Sequence, residues 1–390
     1  MKAEAKETAK TEAKKPVIHE VKENETVVYY GDSNEVNPVG THDYNDFVNL
    51  GPSKQKAKGF DPKYNDFVDY IMKITHEIWE EKGIGVIYDT YHNNVTMHFG
   101  AHNAVGIQSV IAGTLATLHA FPDRKLIGQN VIWSDFGKDG YLSSHRIIST
   151  ATNLNDSSFG PATGRKVNFR TTVDCAAENN RIFEEWLVRD NLWIVKQLGY
   201  DPHEVAKAMA KTSHDTNGVH GTRFGRGENM EGQYFPEKYF AADASVGELV
   251  KEIYNNIYNC RRFNDVKKYY ADNAAMHYIC DKDLNGHNEI QGMLINLFAS
   301  FPNAKFTVER VTCNQRKEDE GHDVAVRWRL QGLHEGLGMF GQPTGNPVNI
   351  LGINHVTVVK GQITEEWMTY DGLDVLRQTY MGYEEPAVTE

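Results

Sequence analysis

The stretch VRWRLQGLHEG (326–336) alternates apolar and charged residues and then runs into a turn of glycine and histidine. Alternation with a period of two marks a strand with two unlike faces. Val326, Trp328 and Leu330 share one face, and Arg327, Arg329 and Gln331 the other. The apolar set is expected to pack on helices or line a cavity. The arginines are expected to meet acidic residues across the sheet, such as Glu366, or to stabilise an enolate or a carboxylate. His334 ends the strand, where it either polarises a carbonyl or hydrogen-bonds the strand end.

This strand belongs to a unit that the chain contains twice. AFPDRKL (120–126) returns as SFPNAKF (300–306), and PATGRKVNF (161–169) as QPTGNPVNI (342–350). RIFEEWLVRDNLWIVKQLGY (181–200) returns as QITEEWMTYDGLDVLRQTYM (362–381), and YHNNVTMH (91–98) as YADNAAMH (270–277). The offset between copies drifts only from 179 to 181 residues, so the chain is a tandem duplication. One unit spans about 61–200 and the other 245–382, with a polar, glycine-rich connector at 201–244 and a short tail at 383–390. Residues 1–60 read as a polar tail followed by an extended arm. Each unit shows amphipathic helical stretches first and strand-like runs after them. That order predicts an α+β fold. A curved antiparallel sheet wrapped over helices makes a cone with one open mouth, which is a natural pocket.

Composition narrows the function. The 390 residues exceed what one core usually holds. A net charge of −12 disfavours a nucleic-acid or anionic-membrane partner. No apolar run is long enough to span a bilayer, and the start MKAEAKETAKTEAKKP lacks the apolar core of a signal peptide. Cys175, Cys260, Cys280 and Cys313 form no CxxC pair and read as ordinary intracellular thiols. The compartment expected from these features is the cytoplasm.

The motifs FPN, EDEGHDVAVRWRLQGLHEG, QPTG and GQITEEWMTYDGLDVLRQ closely resemble the SnoaL-like polyketide cyclase family of the NTF2-like superfamily. The second unit follows the pattern almost throughout, with Leu333 in place of a turn threonine. The first unit keeps FPD, ATG and EEWLVRD but has ATNLN (151–155) where the second has GLHEG. The resemblance implies two tandem NTF2-like cone-shaped domains, each a curved antiparallel sheet plus helices. It also implies a last-strand aspartate acting as acid/base beside a carbonyl, without metal or cofactor. The matching residues are Asp190 and Asp371. A carboxylate inside an apolar cone loses hydration, so its pKa rises toward neutrality and it becomes a competent base.

Strand parity then groups Trp367 and Thr369 with Asp371 as pocket-facing, and Trp186 with Asp190. Glu366 and Tyr370 are assigned to the opposite face. His98 and His277, kept in both copies, are candidates for lining the mouth or bonding the backbone. His145, Arg146 and Arg327 are candidate substrate contacts. No HExxH or nucleophile-elbow motif occurs, HDTNGVH (214–220) lies in the connector, and GTRFGRG (221–227) lacks the context of a nucleotide fingerprint. Two functions compete. One is a cofactor-independent lyase or isomerase of cyclase type acting on a small carbonyl compound. The other is a non-catalytic ligand-binding or scaffold protein. Within the first, the degraded turn of the first unit points to chemistry in the second. Sheet faces of this superfamily often pair, so the two units are expected to form an internal pseudo-dimer or a homodimer.

Overall fold

The computed structural model of the chain describes residues 26–37, 51–137, 140–213 and 236–381. The lysine-rich start, part of the arm, the HDTNGVH and GTRFGRG segments and the tail at 383–390 lie outside them. The first domain runs α1 (Phe67–Trp79), α2 (Val86–Thr90), β2 (Tyr91–His98), β3 (Asn103–Val105) and α3 (Ile107–Ala120). It continues through β4 (Lys125–Gly137), β5 (Gly140–Thr152), β6 (Lys166–Glu178) and β7 (Arg181–Arg189), then α4 (Asn191–Leu198) and α5 (Pro202–Ser213). The second repeats that plan with α6 (Val246–Tyr254), a π-helical turn (Asn255–Asn259), α7 (Val266–Tyr269), β8 (Tyr270–Tyr278), β9 (Lys282–Asn285) and α8 (Gly286–Ser300). Then follow β10 (Lys305–Gln315), β11 (His322–Leu333), β12 (Pro347–Val359), β13 (Gln362–Tyr370) and α9 (Gly372–Thr379).

The sheets have orders β3-β2-β7-β6-β5-β4 and, with β1 (Val28–Gly31) of the N-terminal arm at its edge, β1-β10-β11-β12-β13-β8-β9, and neither closes into a barrel. The long strands are antiparallel, whereas β2 and β8 join β7 and β13 in parallel. Register shifts fall at Gly128/Asn130 and Val308/Arg310, and again at Ala176/Ala177 and Thr357/Val358. A bulge bends its strand and increases local twist. Matching bulges therefore curl both sheets alike over their helices. Asp66 caps α1 by accepting from Asp69 N at 2.8 Å, and the helix buries Phe67, Tyr70, Ile71, Ile74 and Ile78 in the first cone.

The outer faces of the two sheets pack against each other. Arg146 of β5 lies 3.5 Å over the ring of Trp367, and Arg327 of β11 lies 3.6 Å over the ring of Trp186. Arg146 and Arg327 are matching residues of the two copies, as are Trp186 and Trp367, so the contact is reciprocal. Thr172 and Thr369 bond hydroxyl to hydroxyl at 3.1 Å, and Ser144 shares a 2.8 Å hydrogen bond with His355. Asp174 sits 3.0 Å from Arg310 and 3.3 Å from Arg327, which neutralises part of the charge in the seam. The chain thus builds an internal pseudo-dimer.

The N-terminal arm adds strand β1 (Val28–Gly31) in parallel to β10 of the second domain. Further along, Val36 packs in the first domain's core and Gln55 accepts from Phe67 N at 2.8 Å. The arm therefore touches both domains. Asn314 of β10 accepts from Trp133 N at 2.9 Å and donates to Trp133 O at 2.7 Å and to Gly31 O at 3.1 Å, which fastens β10, β4 and β1 together. Gly31 is required there, because a Cβ would lie 2.1 Å from Trp133 O.

A desolvated cation–π contact contributes on the order of 2 kcal/mol. A double-mutant cycle on Arg146→Met and Trp367→Leu, read by urea unfolding, is expected to give a coupling of about 1–2 kcal/mol. A coupling near zero would mean that the stacked geometry adds nothing beyond burial.

Candidate active site

The last long strand of each domain sets the interior. On β7 the inward residues are Glu185, Leu187 and Arg189, and on β13 they are Glu366, Met368 and Tyr370. Both glutamates are buried, and each accepts a hydrogen bond from the tyrosine that opens the first long strand of its own domain. Tyr91 donates to Glu185 at 2.9 Å and Tyr270 to Glu366 at 2.7 Å. Glu366 also accepts from Tyr254 Oη and from Asn354 Nδ2.

The interiors then diverge. In the second domain Tyr254, Tyr258, Tyr270, Tyr278, Trp328 and Tyr370 pack solidly with Phe306. Gly352 makes room for Trp328, since a Cβ there would lie 2.0 Å from the indole ring. The first domain has Ile147 opposite Thr171 at those positions, Arg189 in place of Tyr370 and Phe99 in place of Tyr278. A cavity of about 490 Å³ lies between β2, α3 and β7 of the first domain and the second domain, a size suited to a small organic ligand.

That cavity is walled mostly by apolar groups, including Trp79, Met97, Phe99, Val110 and Leu187. The second domain closes it with Ile350, Leu351, Asp371, Asp374, Val375 and Arg377. The loop after β2 is held against this lid: Ala101 N donates to Asp374 Oδ2 at 3.3 Å and Arg329 to Gly100 O at 3.2 Å. Gly100 permits the approach, because a Cβ would stand 2.2 Å from that carboxylate.

Three of its charged groups are shifted by their surroundings. Burial raises the carboxyl of Glu185 to about 7, against smaller opposing effects of Tyr91 and Arg189. Burial, then the charge of Asp374, pushes Asp371 upward as well. Burial lowers Arg189, and the charges of Asp371 and Glu185 pull it back up. Glu185 Oε2 takes the Tyr91 hydrogen bond, whereas Oε1 accepts none from the described residues. A cavity-lining carboxyl with a free oxygen and a near-neutral pKa can exchange a proton with a bound ligand.

Asp371 lies at this cavity, as the N-cap of α9. It accepts from Leu373 N at 3.0 Å, Asp374 N at 3.1 Å and Asn191 Nδ2 at 2.5 Å. Asp190 caps α4, accepting from Trp193 N at 3.1 Å and from Cys280 N of the second domain at 2.5 Å, and it is outside the cavity lining. Its pKa rises to about 6 through burial.

Trp367, Thr369 and Trp186 do not share the pocket face. They point into the seam between domains, and Glu366 and Tyr370 point inward instead. β13 ends at Tyr370 and Asp371 is already the N-cap of α9, so strand parity does not carry through to it. Arg327 and Arg146 also lie in the seam. Arg327 pairs with Glu309 at 3.1 Å and with Asp174 rather than with Glu366, and Arg146 donates to Gln129 at 3.1 Å.

His98 and His277 lie on the outer sheet face. They stack on Trp186 and Trp367 at 5.0 and 5.1 Å and bond Glu184 and Glu365 at 2.8 and 3.1 Å. The bond to Glu365 raises the pKa of His277. His145 points into the first core, where burial depresses it to about 3, and it does not line the cavity. His334 is buried in the turn after β11: its ring meets Thr344 Oγ1 at 3.3 Å and its carbonyl accepts from Gly345 N at 2.9 Å. Asn153 does the same work in the first domain, accepting from Thr163 N at 2.9 Å, so ATNLN is an equivalent turn. Among the described residues, no group of three or more His, Cys, Asp or Glu is arranged to hold a metal ion.

Glu185, Arg189 and Tyr91 are the site residues that single-strand reasoning passes over. A signal was available: the EEW run and the tyrosine opening YHNNVTMH both recur in the second copy. Two inherited polar residues that meet in both cones mark the interior.

Comparison with known proteins supports the tandem architecture. A family model for the SnoaL-like polyketide cyclases matches residues 70–198 and again 248–379. Among solved structures, a candidate SnoaL-like polyketide cyclase from Jannaschia sp. CCS1 is 20% identical, with a TM-score of 0.31 over 35% of this chain and 96% of that one. IdmH, a candidate polyketide cyclase from Streptomyces antibioticus, is 22% identical, with a TM-score of 0.29 over 34% of this chain and 95% of that one. No curated protein matches.

The raised carboxyl has a thermodynamic signature. Folding binds a proton to Glu185 between its ordinary value of 4.5 and about 7. The resulting destabilisation is absent below that window and complete above it, at roughly 3 kcal/mol. Glu185→Gln should therefore gain stability on wild type as pH rises from 5 to 7.5, measured by urea unfolding at both values. A difference independent of pH would place that titration elsewhere.

Proposed function

The chain belongs, through both of its halves, to the SnoaL-like polyketide cyclase family, and on that premise we propose that it is a cofactor-independent lyase or isomerase of cyclase type acting on a small carbonyl compound. The reaction belongs to the first domain. Glu185 is the base: its free Oε1 takes a proton from the carbon beside the carbonyl, and Tyr91 holds Oε2 in place. The guanidinium of Arg189 lowers the energy of the negative charge that develops on the carbonyl oxygen. The apolar walls exclude water, which strengthens that interaction. The enolate then closes a ring, shifts a double bond or expels a leaving group, and Glu185 returns the proton. Asp371, across Arg189, supplies a second proton-exchanging carboxyl from the other domain.

The single observation that carries this reading is the free, near-neutral Glu185 carboxyl beside Arg189 in the wall of a largely apolar cavity. The second domain, filled by its tyrosines, serves as lid and scaffold. A ligand-binding protein without turnover is the second reading, favoured by Asp371, whose oxygens already serve the helix cap and Asn191. The outer sheet faces are consumed within the chain, so a homodimer would use another surface.

The test is α-proton exchange into deuterated water, followed by NMR on cyclic 1,3-diketones and β-keto esters. Glu185→Gln is expected to slow exchange by about 10²–10⁴-fold, and Asp371→Asn to slow it less. Glu366→Gln, in the filled cone, is expected to leave the rate per folded molecule unchanged. Full exchange activity in Glu185→Gln would remove Glu185 as the base.

A further inference from the structure

Among the described residues, Arg189 lines the cavity without a direct counter-ion. Its guanidinium makes no hydrogen bond and no ion pair within 4 Å among the described residues, and its Nε is buried without a partner. Its ring contact among the described residues is the face of Phe169, 5.8 Å away. The other arginine of the lining, Arg377, is fully committed: Nε and Nη2 donate to Asp374 Oδ1 at 2.9 and 2.6 Å. The arginines of the seam, by contrast, have polar partners on other strands, such as Asp174 for Arg310 and the His277 carbonyl for Arg170. Arg189 is half-buried, with its Nε out of reach of solvent, and a guanidinium partly desolvated with no opposite charge in contact is costly. Its planar fork suits a carboxylate.

We propose that the cavity of the first domain binds its ligand as a monoanion, a small oxo carboxylic acid whose carboxylate pairs with Arg189. The inference rests on that cavity being the working site and names the class of compound it takes. The carboxylate engages the open edge of the fork, and the neighbouring carbonyl oxygen of the acid shares it. The carbon to be deprotonated then lies toward Glu185 Oε1. A monoanion fits better than a phosphate dianion, because Glu185, Asp371 and Asp374 already line the same space. The apolar walls receive the hydrocarbon part.

The charges around Arg189 add a second consequence. The titratable and charged groups that share the cavity lining with it are Glu185 on its own strand, His102 in the loop after β2, and Asp371, Asp374 and Arg377 from the second domain, with Tyr91 on β2 and Cys175 on β6 against Glu185. An anion brought to this place favours the protonated forms of Glu185 and Asp371. Binding therefore takes up a proton, and affinity falls as pH rises through neutrality.

The probes are 2-naphthoate and its neutral isostere 2-naphthamide, which undergo no reaction, so the result does not depend on which group is the base. Binding is measured by isothermal titration calorimetry on the full chain. Wild type is expected to bind 2-naphthoate at least tenfold more tightly than 2-naphthamide at pH 6.5. The naphthoate affinity is expected to fall at least fivefold between pH 6 and 8, while the naphthamide affinity stays constant. Arg189→Met should erase the preference for the acid and keep naphthamide binding, and Arg189→Lys should restore part of it. Equal affinities for acid and amide in wild type would overturn the proposal, as would a preference for the acid that survives Arg189→Met. If Arg189→Met does not fold, the wild-type acid-to-amide ratio and its pH dependence decide the matter alone.

Discussion

The packing of two sheets through their outer faces is the constraint on which everything else in this molecule depends. Arg146 over Trp367 and Arg327 over Trp186 bind each sheet to the other by the same pair of residues taken twice. Duplication makes such reciprocity natural, because a self-complementary face in one copy meets its own image in the other. Once those faces are joined, both sides of each sheet are buried, one against its helices and one against its twin. The joint also brings the last turn of each domain to the mouth of the other, so Asp371 reaches the first cavity and Asp190 reaches Cys280.

The pseudo-symmetry is then broken at a few inward positions, and function follows the break. The copies keep a glutamate and a tyrosine that meet inside each cone. In the second domain the pair is absorbed into a packed cluster of tyrosines around Trp328, a satisfied polar core of the kind that specifies a single structure. In the first domain Ile147 and Arg189 replace Trp328 and Tyr370, and the same glutamate faces open space. Close packing leaves few voids in protein interiors. A persistent cavity lined by a raised carboxyl and an unpaired guanidinium is therefore where a ligand is expected. The copy whose turn departs from the family pattern keeps the cavity, because that turn needs only a side chain able to hold it, and Asn153 serves as well as His334.

The sequence alone determined the duplication, the α+β cone and the partition of VRWRL into an apolar and a charged face. These are local and periodic properties, written in residue order and spacing. It also determined that Trp367 shares a face with Thr369, and that Glu366 shares one with Tyr370. Which of those faces is the inside was decided only by tertiary structure. With both sides of the sheet buried, hydropathy does not separate interior from interface, and a tryptophan suits either. The same holds for the site. Asp371 is visible in the motif, but its place in the wall of the other domain's cavity follows from how two sheets dock. That Glu185 and Arg189 both face a cavity follows from how segments that lie far apart in the chain come together around it.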